Sequence, residues 1–127
     1  MSKERKRLWL TAGLAVVLIL ALLIGTQYRA KMQTAREDVL RLNLQAMREV
    51  IDYYIVDKHQ PPQSLQQLVD AGYLRELPVD PMTNSNAKWT LVMGNVVVSP
   101  GQTVRGITDV HSSSSSISSN GTTYNAW

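Results

Sequence analysis

Cysteine and phenylalanine are both absent from the 127 residues. The first absence excludes disulfide frameworks, thiolate zinc sites and thiol nucleophiles together. Proline does not occur before Pro61, and no glycine lies between Gly25 and Gly72. Almost nothing therefore interrupts a helix over the first half of the chain. Charge is also scarce, at 18% against roughly 25% for an ordinary soluble domain. The shortage is uneven. Leu8 to Tyr28 carries no charge, while Lys3, Glu4, Arg5, Lys6 and Arg7 crowd just ahead of it. From Asn84 to Trp127 only Lys88, Arg105 and Asp109 are charged. Length argues against a multidomain enzyme, since one domain takes about 100–200 residues. Setting the apolar segment aside leaves enough chain for one small core.

What is there begins with an apolar run from Leu8 to Gly25 whose only polar side chain is Thr11. About 20 such residues cross a hydrocarbon layer of roughly 30 Å. Trp9 and Tyr28 stand near the two ends, where amphipathic rings favour the headgroup level. A cleaved signal peptide is the competing reading, but its apolar core spans only about 7–15 residues. Thr26-Gln27-Tyr28-Arg29-Ala30 is moreover a poor cleavage site. The reading is a basic cytoplasmic leader over 1–7, a transmembrane helix over 8–28 and an extracytoplasmic part over 29–127. Lys3, Arg5, Lys6 and Arg7 outweigh Arg29, Lys31 and Arg36, which Glu37 and Asp38 dilute; this places the N-terminus in the cytoplasm. The net charge of +3 points to no nucleic-acid partner, because the basic residues beyond the span alternate with acids and form no aromatic-lined stripe.

From Ala30 to Asp57 good helix formers dominate, and helix is their preferred state. Leu40, Leu44, Met47, Ile51 and Tyr54 recur at steps of four and three, which is one face of a helix. Arg36, Glu37, Arg41, Asn43, Arg48 and Glu49 form an opposite, solvated face. The expectation is one helix from Leu8 to Asp57, about 75 Å long, apolar all round in its first half and amphipathic over 29–57. Lys58-His59-Gln60-Pro61-Pro62 ends it, since proline lacks the donor and restricts its neighbour. Ser64 and Gln67 read as a capping box opening a short helix with Leu65, Leu68 and Val69 inward and Gly72 at its C-terminal end.

Tyr73 to Pro81 reads as a rigid extended segment laying Leu74, Leu77 and Val79 over the core. Trp89–Met93, Gly94-Asn95 and Val96–Ser99 read as a hairpin, followed by a Pro100-Gly101 turn and a weaker third strand over Val104–Val110. Ser112 to Gly121 is a polar low-complexity loop, flexible unless tied down. Tyr124 and Trp127 are expected to tuck the end of the chain into the sheet, because an aromatic ring bare in water is unfavourable. The fold class is α+β, a long N-terminal helix packed on a small antiparallel sheet.

Leu65…Leu68-Val69…Gly72-Tyr73-Leu74…Leu77-Pro78-Val79-Asp80-Pro81, behind such a helix and ahead of Asp109-Val110-His111-Ser112…Gly121-Thr122-Thr123-Tyr124-Asn125-Ala126-Trp127, resembles the major pseudopilins of bacterial type II secretion systems. More broadly it resembles the type IV pilin-like proteins, and the resemblance covers nearly the whole chain. It implies a lollipop-shaped, single-pass inner-membrane protein with a periplasmic head. It also implies that such rods pack side by side into a fibre supporting export across the outer membrane. The partners implied are the lipid bilayer, further copies through the N-terminal helix, other pseudopilins and an inner-membrane assembly platform. Two departures stand out. The family's leader ends at a glycine followed by phenylalanine or a similar residue, with a glutamate at the fifth mature position, whereas here Gly13 precedes Leu14 and Leu18 occupies the glutamate's place. An uncleaved, monomeric membrane-anchored accessory or binding protein is therefore the alternative. The family's calcium, held before the C-terminus, meets no Asp or Glu between Ser112 and Trp127, with Asp109 alone nearby. That leaves at most a weak site, and no cofactor is assigned.

Chemistry-bearing residues are few. Asp109 and His111 share a strand face in the manner of a relay, yet no nucleophile elbow surrounds the serines that follow. His59 reads as a solvated helix-end residue and Asp80 as a turn cap. No residue is assigned as catalytic, cofactor-binding or metal-ligating, and the protein is read as not an enzyme.

Overall fold

The computed structural model describes residues 2–127. Helix-forming residues continue through the basic leader, and a single helix, α1, runs over Lys3–Lys58. It starts five residues ahead of Leu8. The signal for that start is Ser2, whose hydroxyl accepts the Arg5 N–H at 3.4 Å, with Glu4 in the first turn facing the positive end of the dipole. At the other end His59 adopts the left-handed conformation, φ 53°. Its N–H returns to the Ile55 carbonyl at 3.0 Å, an αL closure immediately ahead of the prolines.

The chain divides after Ala35 into two compact units. In the first, the apolar side chains from Leu8 to Ile24 are exposed on every side, and the helix is long and apolar enough to cross a membrane. Its three threonines are satisfied internally: the Thr11, Thr26 and Thr34 hydroxyls donate to the Leu8, Leu23 and Ala30 carbonyls at 2.9, 2.8 and 3.1 Å. Polar groups met within the helix are what a lipid environment requires.

In the second unit the stripe Leu40, Leu44, Met47, Ile51 and Tyr54 is buried, as its spacing predicts. It forms one core with Leu65 and Leu68, with Trp89, Ile107 and Val110, and with Tyr124. Helix α2 covers Leu65–Asp70 with Ser64 as N-cap. The capping box is displaced by one residue: Ser64 Oγ accepts the Gln67 N–H at 3.4 Å, but Gln67 Oε1 takes the N–H of Gln63, at 2.8 Å. Beyond Ala71, Gly72 takes φ 84°, and the N–H groups of Tyr73 and Gly72 return to Leu68 and Val69 at 2.9 and 3.0 Å. That pair is a Schellman closure. Pro61 and Pro62 are fully buried rather than merely terminating α1. The Pro62 carbonyl accepts the Ile107 N–H at 2.8 Å, which ties the helix exit to the sheet.

Two expectations are corrected here. Leu74 and Leu77 do pack on the core, but Val79 is 52% exposed. Successive residues of extended chain face opposite ways, and the inward place goes to the fully buried Asp80. The hairpin is also different. Strand β1 (Trp89–Ser99) passes straight through Gly94-Asn95 and pairs antiparallel with β2 (Gln102–Ser112), Trp89 opposite Ser112 and Ser99 opposite Gln102. The sheet has these two strands, the reversal is Pro100-Gly101, and the segment expected as a weak third strand is the partner. Proline at the first turn position and glycine with φ 75° at the second satisfy a type II turn. Gly94 instead faces Gly106 across the ladder, where both allow close approach. A β-carbon at Gly106 would lie 2.6 Å from Pro61 Cγ, and one at Gly94 2.8 Å from Thr108 Cγ2.

Candidate functional site

Three features of the second unit hold its chemistry: a buried carboxylate under the serine-rich loop, an ion cluster at the end of β2, and an apolar stripe on the outward side of α1. The loop is not free. Glu37, expected on the solvated face with Arg36 and Arg41, is only 1% exposed. Its Oε1 accepts the Ser119 N–H and the Tyr124 hydroxyl, both at 2.8 Å, and its Oε2 accepts the Ser119 hydroxyl at 2.5 Å. The loop then braces itself around Asn120. The Asn120 side-chain oxygen accepts the Ser118 hydroxyl, the Thr122 N–H at 3.1 Å and the Thr122 hydroxyl at 2.6 Å. Tyr124, in the one-turn 3-10 helix η1 (Tyr124–Ala126), is buried as expected. Trp127 stacks edge-on against it at 5.2 Å. A signal for Glu37 existed in the sequence: it sits three residues ahead of Leu40, on the same helical stripe.

Asp109 and His111 do come together, His111 Nε2 lying 3.4 Å from Asp109 Oδ2. The other ring nitrogen meets the main-chain oxygen of Trp127, not a serine hydroxyl. Arg48 completes the cluster. Its Nε donates to Asp109 at 2.7 Å, and its Nη2 donates to the Val110 and Trp127 main-chain oxygens at 2.9 and 3.0 Å. Partial burial pushes the Asp109 carboxyl upward; the Val110 N–H, then Arg48 and His111, outweigh that and hold it below the usual value. Arg48, read as solvated, thus clasps Trp127 to β2. Arg41 lies 4.3 Å above the Trp127 ring and pairs with Asp38 at 3.5 Å. An open groove of about 250 Å³ between Arg41, Leu44, Gln45, Arg48 and Trp127 therefore has both its cations matched by carboxylates.

Asp80 caps its turn as expected, accepting the Met82 N–H at 2.8 Å. Less expectedly, it also accepts the Ser112 hydroxyl at 2.6 Å, wholly buried. His59 is exposed at the helix end. Among the described residues, no three His, Asp or Glu side chains gather in a metal-holding group.

The outward side of α1 is the third feature. Val39, Leu42, Tyr53 and Val56 are 47–69% exposed, with Ala46 exposed between them. Their positions step by three, four, seven and three residues, with Glu49 at the place skipped by the step of seven. This is the a/d spacing of a helix that pairs with another, broken once by a charge. Arg36 and Asp52 flank this stripe on opposite sides, as do Arg41 and Asp57. No family model, no curated protein and no solved structure matches this chain. Its function is therefore read from its own residues.

Proposed function

We propose that the protein is a structural, non-catalytic subunit of a type II secretion pseudopilus or a related pilin-like fibre. It sits in the bacterial inner membrane as a single-pass protein, N-terminus cytoplasmic and head periplasmic. Its partners are the bilayer, further copies of itself, other pseudopilins and an inner-membrane assembly platform. The observation that carries this reading is that α1 has two apolar faces beyond the span. One is consumed by the core of the second unit; the other, Val39 to Val56, is left in water. A protein that worked alone would have no use for the second stripe, and exposed apolar surface of this kind marks contact sites. Charge supports parallel packing with an axial offset. Asp52 follows Arg36 by 16 residues, so an offset of about 24 Å sets the acid of one copy against the base of the next.

The second reading, an uncleaved monomeric accessory protein, is favoured by Leu18, where the resemblance calls for a carboxylate. Chemical crosslinking in native membranes separates the two. A fibre subunit gives a ladder of oligomers that collapses when Leu42 and Tyr53 are both replaced by Glu, with thermal unfolding unchanged. A lone monomer band from the unaltered protein supports the accessory reading. Intact mass adds a second discriminator, since retention of Met1 means no leader processing.

A further inference from the structure

The serine-rich loop raises a question of what holds it. Calcium takes six to eight oxygens, usually including carboxylates, and the resemblance places such an ion here. The donor set does not fit it. Ser112 to Trp127 contains no Asp or Glu. The Ser116, Ser118 and Thr122 carbonyls already accept the N–H groups of Tyr124, Gly121 and Ser118, at 3.1, 3.1 and 2.7 Å. The Asn120 side-chain oxygen accepts three hydrogen bonds. Three carboxylates meet this segment. Asp109 is bound by Arg48, and Asp80 takes the Ser112 hydroxyl and the Met82 N–H. The third is Glu37, on which donors converge, among them the Ser119 N–H and the Ser119 and Tyr124 hydroxyls. A ring of donors around a buried anion is the electrostatic opposite of a cation cage. The negative charge stands on α1, the matching partial positive charges on the loop, and each satisfies the other.

We infer that the loop is latched to α1 by Glu37 through Ser119 and Tyr124, and that this latch closes without a metal ion. It is independent of how the protein assembles. The chain thus has a pilin-like ending whose order is built from its own side chains and is indifferent to calcium supply.

The test uses the full chain in detergent micelles, with tryptophan fluorescence for thermal unfolding and proteinase K cleavage of residues 112–127 followed by mass. Excess EDTA, or calcium titrated from micromolar into the millimolar range, is expected to leave both the melting temperature and the cleavage rate where they were. Glu37→Ala is expected to speed loop cleavage by about tenfold or more. Tyr124→Phe keeps the ring and removes one donor; it serves if the alanine variant fails to fold, and speeds cleavage by a smaller factor. Glu37→Gln keeps an acceptor oxygen and restores most of the protection. The inference is overturned by a saturable rise in melting temperature with calcium, by loosening of the loop in EDTA, or by Tyr124→Phe protected as well as the unaltered chain.

Discussion

Each buried carboxylate of the head closes one piece of chain onto another. Glu37 takes the loop to α1, and Asp80 takes the start of that loop to the Pro78–Pro81 segment through Ser112. Asp109, only partly buried, joins the same scheme through Arg48. Because its carboxyl is held below the ordinary value of about 3.9, the stability it contributes is present above that value. It is lost as pH falls through the lowered one. Melting temperature followed down through the acid range should fall more steeply for the native chain than for Asp109→Asn, the two curves converging at the acid end. His59 offers a cleaner backbone test. It is exposed, with φ 53°, and a left-handed residue with a β-carbon is strained. His59→Gly should raise the urea midpoint, stabilising by about 0.5–1 kcal/mol. At this scale the sequence was hardest to read. Glu37 and Arg48 have the side chains of a solvated face; the place of Glu37 on the Leu40 stripe is the one local signal, and the partners of both lie more than sixty positions away. Asp80 was legible because its partner Met82 is local.

Elements were legible where one local rule decided them. The four-and-three spacing of Leu40 to Tyr54 gave the buried face of α1, and Ser64 and Gly72 marked α2 at both ends. The hairpin misled because two Gly-containing pairs competed for one turn, Gly94-Asn95 and Pro100-Gly101. What decided was invisible locally: Gly94 and Gly106 are needed small where strand meets strand and where β2 meets Pro61. Gly106→Ala and Gly94→Ala should therefore differ. The first drives a β-carbon into a buried proline ring, 2.6 Å away, with no rotamer to yield. It should cost about 1–3 kcal/mol. The second meets both branches of Thr108, Cγ2 and Oγ1 each at 2.8 Å, but on a half-buried strand position that can shift outward as the buried ring cannot, and should cost less. Denaturant titration of the two variants gives the comparison, and equal losses would speak against close packing at Pro61.

On the scale of the molecule, one uninterrupted helix carries two kinds of surface. From Leu8 to Ile24 it exposes apolar side chains all round, and beyond Ala35 it buries one stripe and leaves another exposed. That division was legible from the charge gap over Leu8 to Tyr28, and the helix's continuity from the absence of proline before Pro61 and of glycine between Gly25 and Gly72. The missing cysteines make it directly measurable, because any single cysteine introduced is the only thiol. Ser2→Cys, Leu18→Cys and Ser114→Cys are probed with a membrane-impermeant maleimide in spheroplasts, before and after permeabilisation. A helix that crosses the bilayer once with the head outside predicts labelling at 114 in intact spheroplasts, at 2 only after permeabilisation, and at 18 in neither state. Labelling of positions 2 and 114 from the same side, or ready labelling at 18, would contradict it.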